Sequence, residues 1–190
     1  MKISGQQFFN KFVELFQFEF NNNPGDILSK YRDNTLWTNF MLKNKPIPFV
    51  SKVVTQLGHM ELHLEPEFYN FDICVWDKGN FEDNKPEYKQ PLYLHVTIEH
   101  ENGPNPEKEF WKLLHWYSPL KILICYPNDP VEMIKYFVRI KNKVNTFLPR
   151  SPTEEYLIIF GRLSSNMNRD EIQWDAWVCR SNEAEFSKIK

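Results

Sequence analysis

Leu120-Lys121-Ile122-Leu123-Ile124-Cys125-Tyr126 is a nearly continuous apolar run. A run of this length and composition marks a β-strand covered on both faces. Such a strand needs a layer above it and a layer below it. The flanking sequence supplies helices. Pro106 or Glu107 starts one that runs to about Tyr117, with Phe110, Leu113, Leu114 and Tyr117 inward. A second runs from about Val131 to Phe147, with Ile134, Phe137, Val138 and Val144 as its core face. Strand–helix–strand units of this kind are parallel and right-handed.

The strand before this unit is expected from Leu92 to Glu101. Leu94, Val96 and Ile98 point to one face of it, and Thr97, Glu99 and Glu101 to the other. The two carboxylates lie about 7 Å apart along the strand. An earlier strand, Phe71 to Trp76, carries Asp72 at its start. Like charges raise each other's pKa, so three acids on neighbouring apolar strands are costly to hold together. A divalent cation is the simplest relief. The alternative is an edge strand whose Glu99 and Glu101 face solvent.

The rest of the chain fills in the layers. Ser4 caps a helix to about Phe20, with Phe9, Phe12, Val13, Phe16 and Phe20 as its apolar stripe. Asp26 caps a second helical segment to Leu42, with a break near Asp33-Asn34 and with Ile27, Leu36, Trp37, Phe40 and Met41 apolar. A third helix spans Phe49 to Leu57. Met60, Leu62 and Leu64 alternate with Glu61, His63 and Glu65 as a half-buried strand, and Glu65-Pro66-Glu67 reads as a turn. Asp77 to Pro91 reads as a long polar loop. Tyr156 to Phe160 and Trp174 to Cys179 are the last strands. The expected whole is one α/β domain over residues 1–190: a helical part, 1–58, then a mixed sheet with flanking helices, 59–190. A hydrophobic fraction of 42% and an aromatic fraction of 16% are those of a folded globule.

The order helix, hairpin with Asp72, strand with Glu99-x-Glu101, helix, apolar strand resembles the PD-(D/E)XK nuclease superfamily. The resemblance covers residues 35–160 as architecture and Asp72, Glu99 and Glu101 as motif. It implies a restriction-endonuclease-like sandwich, with magnesium or manganese held by Asp72 and Glu99. It further implies hydrolysis of phosphodiesters in DNA or RNA. Phe71 stands where the family often has Pro, and Glu101 stands where it usually has Lys. Lys112 or His115, on the following helix, is placed to replace the missing base. Glu61, on the polar face of its strand, is a further candidate ligand. A catalytically inactive nuclease-fold binding module and an acidic protein that binds a basic partner are the other classes.

Charge supports a nucleic-acid partner only locally. Net charge is −2. Residues 59–101 hold ten acids against three Lys or Arg, whereas 132–150 hold one acid and five Lys or Arg. Lys135, Arg139 and Lys143, four apart, form a stripe along one helix that suits phosphates or plain solvent. Cys74, Cys125 and Cys179 each sit in an apolar run, which indicates buried free thiols in a reducing cytoplasm. No stretch approaches a membrane span in length.

Overall fold

The computed structural model describes residues 3–43, 46–57, 62–68, 71–77, 94–147, 151, 153–166, 169–180 and 185–190. Among the described residues, seven strands form one sheet in strictly sequential order. They are β1 (Leu62–Phe68), β2 (Phe71–Asp77), β3 (Leu94–Glu101), β4 (Leu120–Cys125), β5 (Glu155–Asn166), β6 (Arg169–Arg180) and β7 (Phe186–Lys188). β3, β4 and β5 are parallel to one another, and every other neighbouring pair is antiparallel. The parallel crossovers contain α5 (Pro106–Leu114) and α6 (Pro130–Thr146). Before the sheet come α1 (Gly5–Asn22), α2 (Pro24–Tyr31), α3 (Asn34–Thr38) with a π-helical turn after it, and α4 (Phe49–Gln56).

Alternation along the strands divides the core in two. Ile73, Val75, Val96, Ile98, Ile122, Ile124, Leu157 and Ile159 face the N-terminal helices. Cys74, Trp76, Leu123, Cys125, Ile158 and Phe160 face α5 and α6. α1 starts at a Ser4 capping box, which ties Ser4 and Gln7 to each other's backbone N–H. It buries Phe8, Phe9, Phe12 and Phe16. Phe12 meets Trp174 of β6 edge-on at 4.7 Å, and the Gly5 N–H donates to the Glu155 carboxylate. Gly161 is required where β5 passes Trp174, because a Cβ there would stand 2.5 Å from the indole ring. All three cysteines are buried, and none forms a disulfide. Among the described residues no helix is long and apolar enough to cross a membrane.

Several expectations are corrected. The core face of α6 is Tyr136, Ile140 and Val144, while Ile134 and Val138 are exposed. This helix has apolar residues around much of its circumference, so contact with the sheet, not periodicity, selects the buried stripe. α5 ends at Leu114, which leaves Tyr117 exposed; Leu36 is exposed too. The turn expected at Glu65-Pro66-Glu67 is strand, with Pro66 opposite Ile73. Proline is tolerated there because β1 is the sheet's first edge. β5 and β6 form a hairpin much longer than the two expected strands, and β7 is additional. The expected loop from Asp77 to Pro91 lies outside the described residues, apart from Asp77, which ends β2.

Lys121, in the middle of the apolar β4, is wholly buried and paired with Glu154 at 2.8 Å. Burial lowers its pKa, and the Glu154 contact opposes the shift. The Tyr156 hydroxyl also donates to Glu154. Removing one member of such a pair strands the other charge, so Glu154→Ala should cost about 3–5 kcal/mol. The Lys121→Met, Glu154→Leu double variant should recover most of that loss; urea unfolding of the three proteins measures it.

Candidate functional site

β2 and β3 run antiparallel, with Ile73 opposite Ile98 and Cys74 opposite Thr97. Continued by one residue, this register sets Asp72 against Glu99. Glu99 and Glu101 lie beside Leu123 and Cys125 of β4, on the face that α5 covers. Asp72 shares that face with Cys74 and Trp76. The acids therefore converge at one end of the sheet, beneath α5. β3 is flanked by strands on both sides, so its glutamates do not line an open edge. Glu99 is only 2% exposed.

Each carboxylate is held. The His100 N–H donates to Asp72 Oδ2 at 2.7 Å. Lys112 reaches down from α5 to Glu99 Oε1 at 3.0 Å and also binds Glu109, one turn earlier on the same helix. Glu101 accepts from the Gly103 N–H, and a Cβ at Gly103 would collide with that carboxylate.

The electrostatics follow from this burial. Glu99 is pushed up to about 8, first by burial and then by the Asp72 charge, against the pull of Lys112. Burial also raises Asp72, opposed by the His100 N–H. Glu101 is raised by burial, opposed by the Gly103 N–H and reinforced by Glu109. Burial works against the charge of Lys112, but its bonds to Glu109 and Glu99 outweigh this and leave its pKa raised. The cluster is short of positive charge.

Among the described residues, no group of three or more His, Cys, Asp or Glu side chains is arranged to hold a metal. The site offers a carboxylate pair instead. Magnesium is commonly bound by one or two carboxylates, with waters completing its shell, so the donor set suits it. A pair that stays partly protonated for want of counter-charge is also what a cation would relieve.

Of the other expected residues, Lys112 is part of this cluster and His115 is not. His115 bonds the Trp111 carbonyl through Nδ1 and meets Phe147 edge-on. Glu61 lies outside the described residues. On α6, Arg139 lies 3.7 Å from Glu107 and Lys143 sits over the Trp111 ring, while Lys135 is exposed. The stripe is thus partly engaged within the molecule. Glu109 was not anticipated; the signal for it was its place three residues before Lys112 on one helix face. His100 turns to the opposite face, where its buried ring lies edge-on to Tyr126 and burial lowers its pKa to about 3. Comparisons with protein-family models, curated proteins and solved structures found no match.

The raised Glu99 gives a signed pH dependence. Its folded value, about 8, exceeds its ordinary 4.5, so the native state keeps a proton that the unfolded chain has lost. Stability from this group is full below pH 4.5 and drains away as pH rises to about 8. Glu99→Gln should flatten that decline. At pH 8 the variant should be more stable than wild type by roughly 1–2 kcal/mol, and the two should converge at low pH. Denaturant midpoints across the window test this.

Proposed function

We propose that the Asp72, Glu99, Glu101 and Lys112 cluster is the active site of a divalent-cation-dependent phosphodiesterase with a restriction-endonuclease-like fold. The observation that carries the reading is the juxtaposition of the half-buried Asp72 with the buried Glu99, to which Lys112 is bonded from α5. The order of elements supports it. β1, β2 and β3 are antiparallel, α5 crosses over, and β4 returns parallel to β3. That is the order on which the resemblance rests.

Asp72 and Glu99 are the residues that would hold magnesium or manganese, which supplies charge neutralisation at a phosphate and acidifies bound water. The chain's own groups do the rest. The His100 N–H fixes the orientation of Asp72. Lys112 holds Glu99 and offers an ammonium to phosphate oxygens as negative charge develops there. Glu101 is oriented by the Gly103 N–H and is placed to accept the proton of an attacking water. Its raised pKa makes it a better base than an ordinary glutamate. In this arrangement Lys112 supplies from the helix the positive charge that the superfamily usually places at the position of Glu101.

A second reading has its own observation. Lys112 already neutralises Glu99, which is how a non-catalytic member of the fold would stabilise an inherited acidic pair.

Two measurements separate these readings. With manganese, folded protein should cleave nucleic acid, and Glu99→Ala and Lys112→Ala should each lower the rate by about 100-fold or more. Absence of metal-dependent cleavage on single- and double-stranded DNA and RNA would favour the non-catalytic member. In thermal unfolding, manganese should stabilise wild type as its concentration rises. Asp72→Asn should be more stable than wild type in chelator, by roughly 0.5–2 kcal/mol, and should gain little from manganese. An equal response of both proteins would place the metal elsewhere.

A further inference from the structure

Lys112 stands between two acids. From α5 its ammonium reaches Glu99 Oε1 at 3.0 Å and also contacts Glu109, three residues earlier on the same helix. The two acids differ in setting. The Glu99 side chain is 3% exposed, whereas that of Glu109 is 26% exposed. Glu99 Oε1 is buried and makes no hydrogen bond of good geometry, so the ammonium serves it chiefly by charge. The Lys112 side chain is 39% exposed, so solvent reaches it far more than the carboxylate beneath it.

These contacts leave Lys112 able to move. A lysine ammonium is a compact charge on a flexible four-carbon stem. Swinging from Glu99 toward Glu109 keeps it paired with a carboxylate, because both acids lie within reach of one helix position. A divalent ion held by Asp72 and Glu99 would stand within a few ångströms of that ammonium, and like charges so close repel strongly where burial weakens screening. Ammonium and metal therefore compete for Glu99.

We infer that Lys112 is a resident cation that holds the metal's place at Glu99 and passes to Glu109 when a divalent ion binds. Glu109 is then a positioning residue. It acts through Lys112, by keeping the displaced ammonium beside the site, where it meets the phosphate. The exchange rests on Asp72 and Glu99 being the metal ligands of the proposed phosphodiesterase. Without metal, the same ammonium is the counter-charge that lets Glu99 stay buried.

The test is calorimetric titration of the metal-free whole chain with manganese chloride at fixed pH and ionic strength. Lys112→Met removes the competitor, so manganese should bind about tenfold more tightly than to wild type. Lys112→Gln should repeat that result. The cleavage rate of either variant at saturating manganese should nonetheless fall, because the ammonium is also lost from the phosphate. Glu109→Gln removes the carboxylate that would take the ammonium, so manganese should bind roughly five- to tenfold more weakly. In the Lys112→Met background the same change should weaken binding about twofold or less, because Glu109 acts through Lys112. Lys108→Met removes an equal charge from the exposed side of α5 and should leave manganese affinity within about twofold. Manganese bound no more tightly by the Lys112 variants than by wild type overturns the inference, as does an equal effect of Glu109→Gln in both backgrounds. Cleavage assays keep the two readings apart. Tighter manganese binding by Lys112→Met, without cleavage by wild type, supports the exchange and ends the phosphodiesterase reading. Metal-dependent cleavage by wild type, with manganese affinity unmoved by Lys112→Met, overturns the exchange and leaves the phosphodiesterase standing. No manganese binding by wild type or by Lys112→Met overturns both.

Discussion

The parallel pairing of β3, β4 and β5 is the constraint from which the rest of the architecture follows. The three strands lie side by side in sequence order. Right-handed crossovers that step repeatedly in one direction must all fall on one face of a sheet. α5 and α6 accordingly share a layer, and the opposite face is left to the N-terminal helices. The same rule brings α5 over the side of β3 that bears Glu99 and Glu101, so Lys112 meets Glu99 as a consequence of crossover handedness. The position of the site is therefore a result of topology as well as of three acidic residues.

The cluster and the Lys121–Glu154 pair are two solutions to one physical problem. Each places charge inside the sheet region, where desolvation is costly. Lys121 and Glu154 match one cation to one anion, and the Tyr156 hydroxyl further satisfies the acid. The Asp72 cluster gathers three carboxylates and Glu109 around one ammonium. Its negative charges outnumber the one ammonium they surround.

The sequence made much of this legible, for reasons that can be stated residue by residue. The run from Leu120 to Cys125 carried its double burial openly, and the alternation of Leu94, Val96 and Ile98 with Thr97, Glu99 and Glu101 fixed which acids share a face. The Ser4 cap was local chemistry and so was readable. What escaped depended on partners distant in sequence. The buried stripe of α6 is chosen by the sheet beneath it, which is why Ile134 and Val138 were misplaced. Pro66 looked like a turn because nothing local says that its strand lies at an edge. Whether Glu99 was buried or solvated depended on β4 lying beside it, and the part played by Glu109 depended on the rotation of α5.

The distance in sequence between α1 and its docking surface has a consequence for biosynthesis. Phe12 and Phe16 pack on Trp174, and Gly5 is bonded to Glu155. As a ribosome makes the chain from its N-terminus, the phenylalanine face of α1 emerges more than 150 residues before the hairpin that will cover it is complete. Phe49 of α4 reaches Phe12 and Phe16 early, but at about 5–20 residues per second the part of that face that Trp174 covers waits several seconds or longer. Meanwhile the sequential strand order lets each strand after β1 pair at once with the one before it. The sheet can therefore assemble progressively from its N-terminal edge, with the helical layer closing onto it last. The interval in which the Trp174 side of α1 is uncovered therefore ends only when β6 is made.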